Sequence, residues 1–158
     1  MQENKLKTIN SDKESALEEE IAKAVDFHGH LGPFLVIGVR MGIIGMREIG
    51  LKDNDGKLRV VAYLRYAVPI SCTLDGLQVT TKCTIGNQKL KLVDSTDIKA
   101  KFALPNKKEV TVTVNPDAYD KLKGQLLSEK SSPKKVEHLA QLVASMPEKT
   151  LFLIRRNF

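Results

Sequence analysis

The chain is short of several things, and each shortage narrows what it can be. It has no tryptophan, three tyrosines and five phenylalanines in 158 residues, too few aromatics for the stacking platforms of a single-strand nucleic-acid surface. Its two cysteines, Cys72 and Cys83, cannot build a disulfide framework or ligate an iron–sulfur cluster. No apolar run reaches the roughly 20 residues that cross a bilayer, and the longest, residues 31–46, is interrupted by Arg40. No cationic start leads into an apolar stretch with a small-residue cleavage site, so no secretory signal is expected. Reduced thiols and a cytoplasmic setting follow as expectations. The phosphate-loop and dinucleotide fingerprints are absent too, which argues against nucleotide chemistry and against electron transfer by this chain alone.

What is present suits one folded unit. An apolar content of 42% over 158 residues supports a single core. The formal charge of +6 raises the question of an acidic partner. Its lysines and arginines run the whole length (Lys5, Lys57, Lys91, Lys121, Arg155), often beside acids, with short pairs such as Lys107-Lys108 and Lys134-Lys135. A nucleic-acid surface needs a concentrated basic stripe; this distribution reads as a solvated surface, with no nucleic-acid partner and no membrane.

Along the chain, residues 1–10 are polar and read as a disordered, frayed start, with the folded domain over 11–158. Ser11 or Asp12 can cap a helix whose apolar positions Leu17, Ile21, Ala24 and Val25 share one face. Pro33 opens a second helix ending at Gly50. Residues 58–66, 89–93, 98–104, 110–114 and 150–155 read as strands, and Asn115-Pro116 and Ser132-Pro133 open two later helices. Helices, then strands, then helices again predict an α+β domain: an N-terminal helix pair and an antiparallel or mixed sheet of about five strands packed against helices. Gly38, Gly42 and Gly45 lie on the second helix, each costing about 1 kcal/mol against alanine. Close packing must offset that, within the subunit against its own sheet or across a tight homodimer built on this helix.

Two segments carry chemistry. In His28-Gly29-His30-Leu31-Gly32-Pro33, two imidazoles flank a glycine in a turn, where they can converge on a ligand; the alternative is one capping the helix and one exposed. In the second, Ser71-Cys72-Thr73-Leu74-Asp75-Gly76-Leu77-Gln78, Cys72 stands at a helix start, where the macrodipole favours a thiolate nucleophile or metal ligand, unless it is a small buried hydrophobe. Asp75 can act as a general base, orient an imidazole or satisfy the helix end. Gln78 and Thr81, three and six residues on, are candidates to hold a polar ligand or cofactor. Cys72, His30 and Asp75 are thus the catalytic candidates, and His28, His30 and Cys72 the ligands for zinc or another first-row metal. If residues 72–83 formed one helix, the two cysteines would lie roughly 16 Å apart, too far for a disulfide.

The run 27–42 with its His-Gly-His, the Ser-Cys-x-x-Asp-Gly-x-Gln segment and the later Cys83-Thr84-Ile85-Gly86-Asn87 resemble the FmdE family of formylmethanofuran dehydrogenase subunits over residues 14–155. Many members of that family carry Cys in place of Gly32 and Gly in place of Lys82; the first difference removes a thiolate from the ligand set. The resemblance implies a homodimeric accessory subunit or enzyme of one-carbon metabolism, associated with the dehydrogenase complex. The alternative is a noncatalytic dimeric module that binds a metal or small molecule in the same pocket.

Overall fold

The computed structural model of the chain describes residues 2–127 and 132–158. The first helix, α1 (Gln2–His28), begins well before Ser11, so residues 2–10 are helical where a frayed segment was expected. It ends at Gly29, which takes φ +104°, a conformation that glycine adopts without steric cost. Its apolar face behaves as the spacing indicates: Ala24 is buried with Leu35 and Val39, and Leu17, Ile21 and Val25 pack around them.

The second helix, α2 (Pro33–Ile49), is the axis of the molecule, with 13 of its 17 residues buried. Pro33 occupies its first turn and Gly50, at φ 86°, closes it, with the N–H of Leu51 donating to the Met46 carbonyl at 2.9 Å. This is the terminator expected of a left-handed glycine. Arg40, the one charge within the apolar run, donates to the carbonyls of Val143 and Met146 at 2.8 and 2.7 Å and lies over the Phe152 ring at 5.4 Å. It caps the end of a later helix, and burial lowers its pKa.

The sheet contains β1 (Arg59–Tyr63), β2 (Leu90–Val93), β3 (Lys99–Ala103), β4 (Glu109–Val114) and β5 (Phe152–Asn157) in the order β2-β1-β3-β4-β5. The β1–β2 pair is parallel and the other pairs are antiparallel. The parallel pair requires a crossover, which α3 (Thr73–Thr81) supplies. One sheet face, with Val60, Ala62, Ala100, Phe102, Val110 and Val112, is buried with α2 in the main core. Helices α4 (Pro116–Leu126) and α5 (Pro133–Ser145) start as read, capped by the side chains of Asn115 and Ser132. The expected end of α4 near Ser128 lies outside the described residues. The last strand begins at Phe152 because residues before it form a one-turn helix, α6 (Glu148–Leu151). Among the described residues no helix is long and apolar enough to cross a membrane.

The glycines of α2 face inward, within this one chain. A Cβ at Gly38 would overlap the Thr73 carbonyl, one at Gly42 the Thr80 hydroxyl, and one at Gly45 the Phe102 ring; from the other side, a Cβ at Gly76 would overlap the Leu35 carbonyl. The packing that offsets their helix cost is therefore with α3 and the sheet, and α2 is enclosed. The glycines of α2 are thus accounted for within the chain, as the alternative of packing against its own sheet allows, and they give no argument for a homodimer through this helix.

Candidate functional site

α1 ends and α3 begins at the same place, and this junction builds a cleft of about 360 Å³ lined by His28, Tyr66, Ser71, Cys72, Asp75 and Gln78, with Val68, Leu74, Ile85 and Leu92 completing it. Cys72 closes a single 3₁₀ turn (Ile70–Cys72) that leads into α3, and Asp75 lies in the first turn of that helix. Residues 47 positions apart thus meet: Nδ1 of His28 stands 2.6 Å from Oδ2 of Asp75. A carboxylate can only accept, so Nδ1–H donates to it, and whichever role Nε2 takes is left to a partner other than Asp75. That Nε2 is buried and, among the described residues, without a hydrogen-bond partner, as is Oγ1 of Thr73.

The other oxygen of Asp75 is also engaged. Gln78 Nε2 donates to Oδ1 at 3.1 Å, and Gln78 Oε1 accepts from the Ile85 N–H at 3.1 Å. Asp75 is therefore an orienting group with both oxygens used, rather than a free base, and Gln78 is a strut that holds it with both ends of its amide occupied. The relay runs from the loop after α3 through Gln78 and Asp75 to His28, and it leaves the imidazole fixed in tautomer and angle.

Cys72 departs from expectation. Burial pushes its thiol pKa up, and the nearby Asp75 carboxylate pushes it further. Burial first, and then the carboxylate one turn away, outweigh the helix start, so the shift favours the thiol over the thiolate. Thr81 does not reach the cleft: it is buried, its hydroxyl donates to the Leu77 carbonyl at 2.6 Å and accepts from the Cys83 N–H at 3.1 Å. Cys83 is a fully buried thiol that contacts the Leu58 carbonyl at 3.4 Å. Both cysteines are free.

His30 is exposed and is not among the cleft-lining residues; its ring lies tilted against His28 with centroids 4.6 Å apart. Its Nε2 stands 3.6 Å from where a Cβ on Gly32 would be, so a thiol at position 32 would sit beside His30. Of the residue types that ligate metals, the cleft lining includes His28, Cys72 and Asp75, and the Nε2 of His28 is itself buried. Among the described residues no three His, Cys, Asp or Glu side chains gather into a ligand set, which does not fit a zinc site held by three protein ligands. The sequence reading missed Tyr66 and Val68 as lining residues; they are 74% and 82% exposed, and their signal was a large apolar pair just ahead of the cysteine segment.

The family model described as "FmdE, Molybdenum formylmethanofuran dehydrogenase operon" matches residues 27–153. The chain belongs to the FmdE family. The match starts at the helix end that carries His28 and includes the whole cleft. An FmdE-like fold is also the result of structural comparison: the chain superposes with TM-score 0.60 on the crystal structure of an FmdE-like protein of the tungsten formylmethanofuran dehydrogenase type from Syntrophus aciditrophicus, at 20% identity, covering 89% of this chain and 71% of that one. It is also 36% identical over 81 residues to a probable S-adenosyl-L-methionine-binding protein of Archaeoglobus fulgidus. That alignment takes in 51% of this chain and only 22% of the relative. Lys82 takes φ 60°, the conformation for which glycine is the usual choice.

Proposed function

We propose that this FmdE-family chain serves cytoplasmic one-carbon metabolism as an accessory subunit or enzyme working with formylmethanofuran dehydrogenase, and that its cleft holds a small polar ligand for proton exchange at His28. The observation that carries this reading is the buried, unpartnered Nε2 of His28 with Nδ1 anchored on Asp75. A ring nitrogen kept out of water without a partner among the described residues is costly, and a polar ligand group that reaches it by a local rearrangement of the cleft wall removes that cost. Cys72, kept protonated by burial and by Asp75, supplies the complementary donor, so the cleft can accept a proton on one wall and donate one from another. Asp75 and Gln78 are positioning residues.

The test uses formylmethanofuran and methanofuran as probes in calorimetric titration of the purified chain. Binding of one of them, weakened at least about tenfold in His28→Ala and little changed in His30→Ala, is expected. Absence of binding by the unmodified chain, together with no association with the dehydrogenase in a mixing experiment, overturns the reading.

A second reading is favoured by the carboxylate–histidine pair, an arrangement that accompanies many metal-ligating imidazoles. In it His28 and Cys72 contribute two ligands to a first-row metal, and water or a partner molecule supplies the rest. Elemental analysis of chain purified without chelators separates the two. A stoichiometric metal lost in Cys72→Ser supports the metal reading, and metal-free protein that still binds the probe supports proton exchange.

A further inference from the structure

The lysines and arginines that look scattered in the sequence meet on one surface. The strand register places Lys91, Val61, Lys101, Thr111 and Arg155 in a row across all five strands. The next row is Val93, Tyr63, Lys99, Thr113 and Leu153. Arg59 begins a third row, which also holds Glu109. These are the sheet positions opposite to the buried ones, and every one of them keeps part of its surface in solvent. The strands there carry five cations, Arg59, Lys91, Lys99, Lys101 and Arg155, against the single carboxylate of Glu109, which lies 4.0 Å from Lys101. Lys99 sits over the Tyr63 ring at 5.0 Å, which covers the only aromatic on the face. At the usual spacing of about 4.8 Å between strands, the row spans roughly 19 Å. Val93 and Leu153, at its two margins, are 43% and 50% exposed.

We infer that this open sheet face is a docking surface for a partner protein whose contacting surface combines carboxylates with aliphatic side chains. The charge excludes a second copy of the same face, because pairing it with itself would set five cations against five. Nucleic acid fits less well. Its backbone would use the lysines but not Val93 or Leu153, the single aromatic is already covered, and a broad sheet is not the helix or two-stranded ribbon that enters a groove. An acidic surface with apolar residues between its carboxylates complements both features, with the charges steering encounter and the aliphatic contacts holding the complex. The surface is separate from the cleft, so the inference stands or falls independently of the ligand proposed there.

The test titrates the full chain at low ionic strength with three probes: a synthetic amphipathic glutamate–leucine peptide, a mixed-sequence single-stranded oligonucleotide, and phosphatidylserine vesicles. The peptide is expected to bind more tightly than the other two. Lys91→Glu combined with Lys101→Glu should weaken it at least about tenfold, while Lys134→Glu with Lys135→Glu, on exposed positions of α5, leaves it within about twofold. Leu153→Ser should weaken the glutamate–leucine peptide but not plain polyglutamate. NMR amide shifts in the unmodified chain should fall on β1, β2, β3 and β5, a readout that needs no folded variant. Tighter binding of the oligonucleotide or of vesicles, equal losses in the α5 variant, shifts scattered over the whole surface, or no peptide binding at all would each overturn the proposal.

Discussion

The two sides of α3 differ as sharply as any regions of this molecule, although they share nine residues. One side, with Thr73, Gly76 and Thr80, is pressed into α2 so closely that glycines on both helices face backbone or side-chain atoms. The other side, with Asp75 and Gln78, opens on the cleft and is held by three hydrogen bonds, to His28, within the pair and to Ile85. The packed side sets where the helix stands and tolerates nothing larger. The open side is held by polar contacts that fix angles rather than volume, and for that reason it can change chemistry without changing the fold. A site of this kind needs both: a rigid support beneath it and an unfilled polar edge above.

The comparison breaks first at the seam. Gly76→Leu drives a side chain into the backbone of α2 and should cost at least about 3 kcal/mol or prevent folding, measured by chemical denaturation. A variant as stable as the parent would show that the helices can separate freely. The open side should respond in reactivity and hardly at all in stability. Asp75→Asn keeps an acceptor for His28 and removes the charge that helps raise the Cys72 pKa, so stability should stay within about 1 kcal/mol. The pH profile of iodoacetamide alkylation at Cys72 should move to lower pH, since less negative charge opposes the thiolate. Burial, the larger cause, remains, so the midpoint should still lie above that of an ordinary thiol. An unmoved profile would separate Asp75 from the thiol. Measured in Cys83→Ala, the alkylation reports Cys72 alone.

The same raised pKa values carry a stability consequence. Folding lifts the pKa of Cys72 and of Cys83, in both cases chiefly by burial. The folded state therefore holds these protons more tightly than the unfolded chain, and their contribution is fully present below the unfolded thiol pKa of about 8.5. It declines as pH rises through that value toward the folded ones. Thermal melts from neutral to alkaline pH should show a falling Tm, and a smaller fall in Cys83→Ala relative to its own neutral-pH Tm. The smallest effect belongs to the end of α3. Lys82→Gly relieves a left-handed residue and should stabilise the chain by about 0.5 kcal/mol, visible as a small rise in the denaturation midpoint.

Local pattern was enough to find the elements. Apolar spacing, a proline in the first turn and a following glycine are read over one or two turns, so α2 and α5 and the five strands could be located from the chain alone, and so could the α+β order. The two motif segments were likewise visible, because imidazoles around a glycine and a thiol followed three residues on by a carboxylate are poorly explained by packing. Their pairing was only half legible. His28 and Asp75 meet across 47 positions, whereas His30, two residues from His28, turns outward, since backbone direction at Gly29 depends on how α1 docks. Thr81 shares a helical face with Asp75 on paper, yet its hydroxyl bonds back into its own helix.

Sequence by itself determined most of the secondary structure, the apolar face of the main elements and the residue types available for chemistry, because these depend on periods of two and 3.6 residues and on intrinsic side-chain properties. Tertiary structure alone decided which of those residues meet. It assigned the glycines of α2 to α3 and the sheet instead of to a partner chain, and made Arg40 the cap of α5. It also raised the Cys72 pKa where a helix start would lower it, and gathered dispersed lysines onto one sheet face through strand register. Each is a matter of distance and desolvation between segments far apart in the chain, quantities that no local pattern contains.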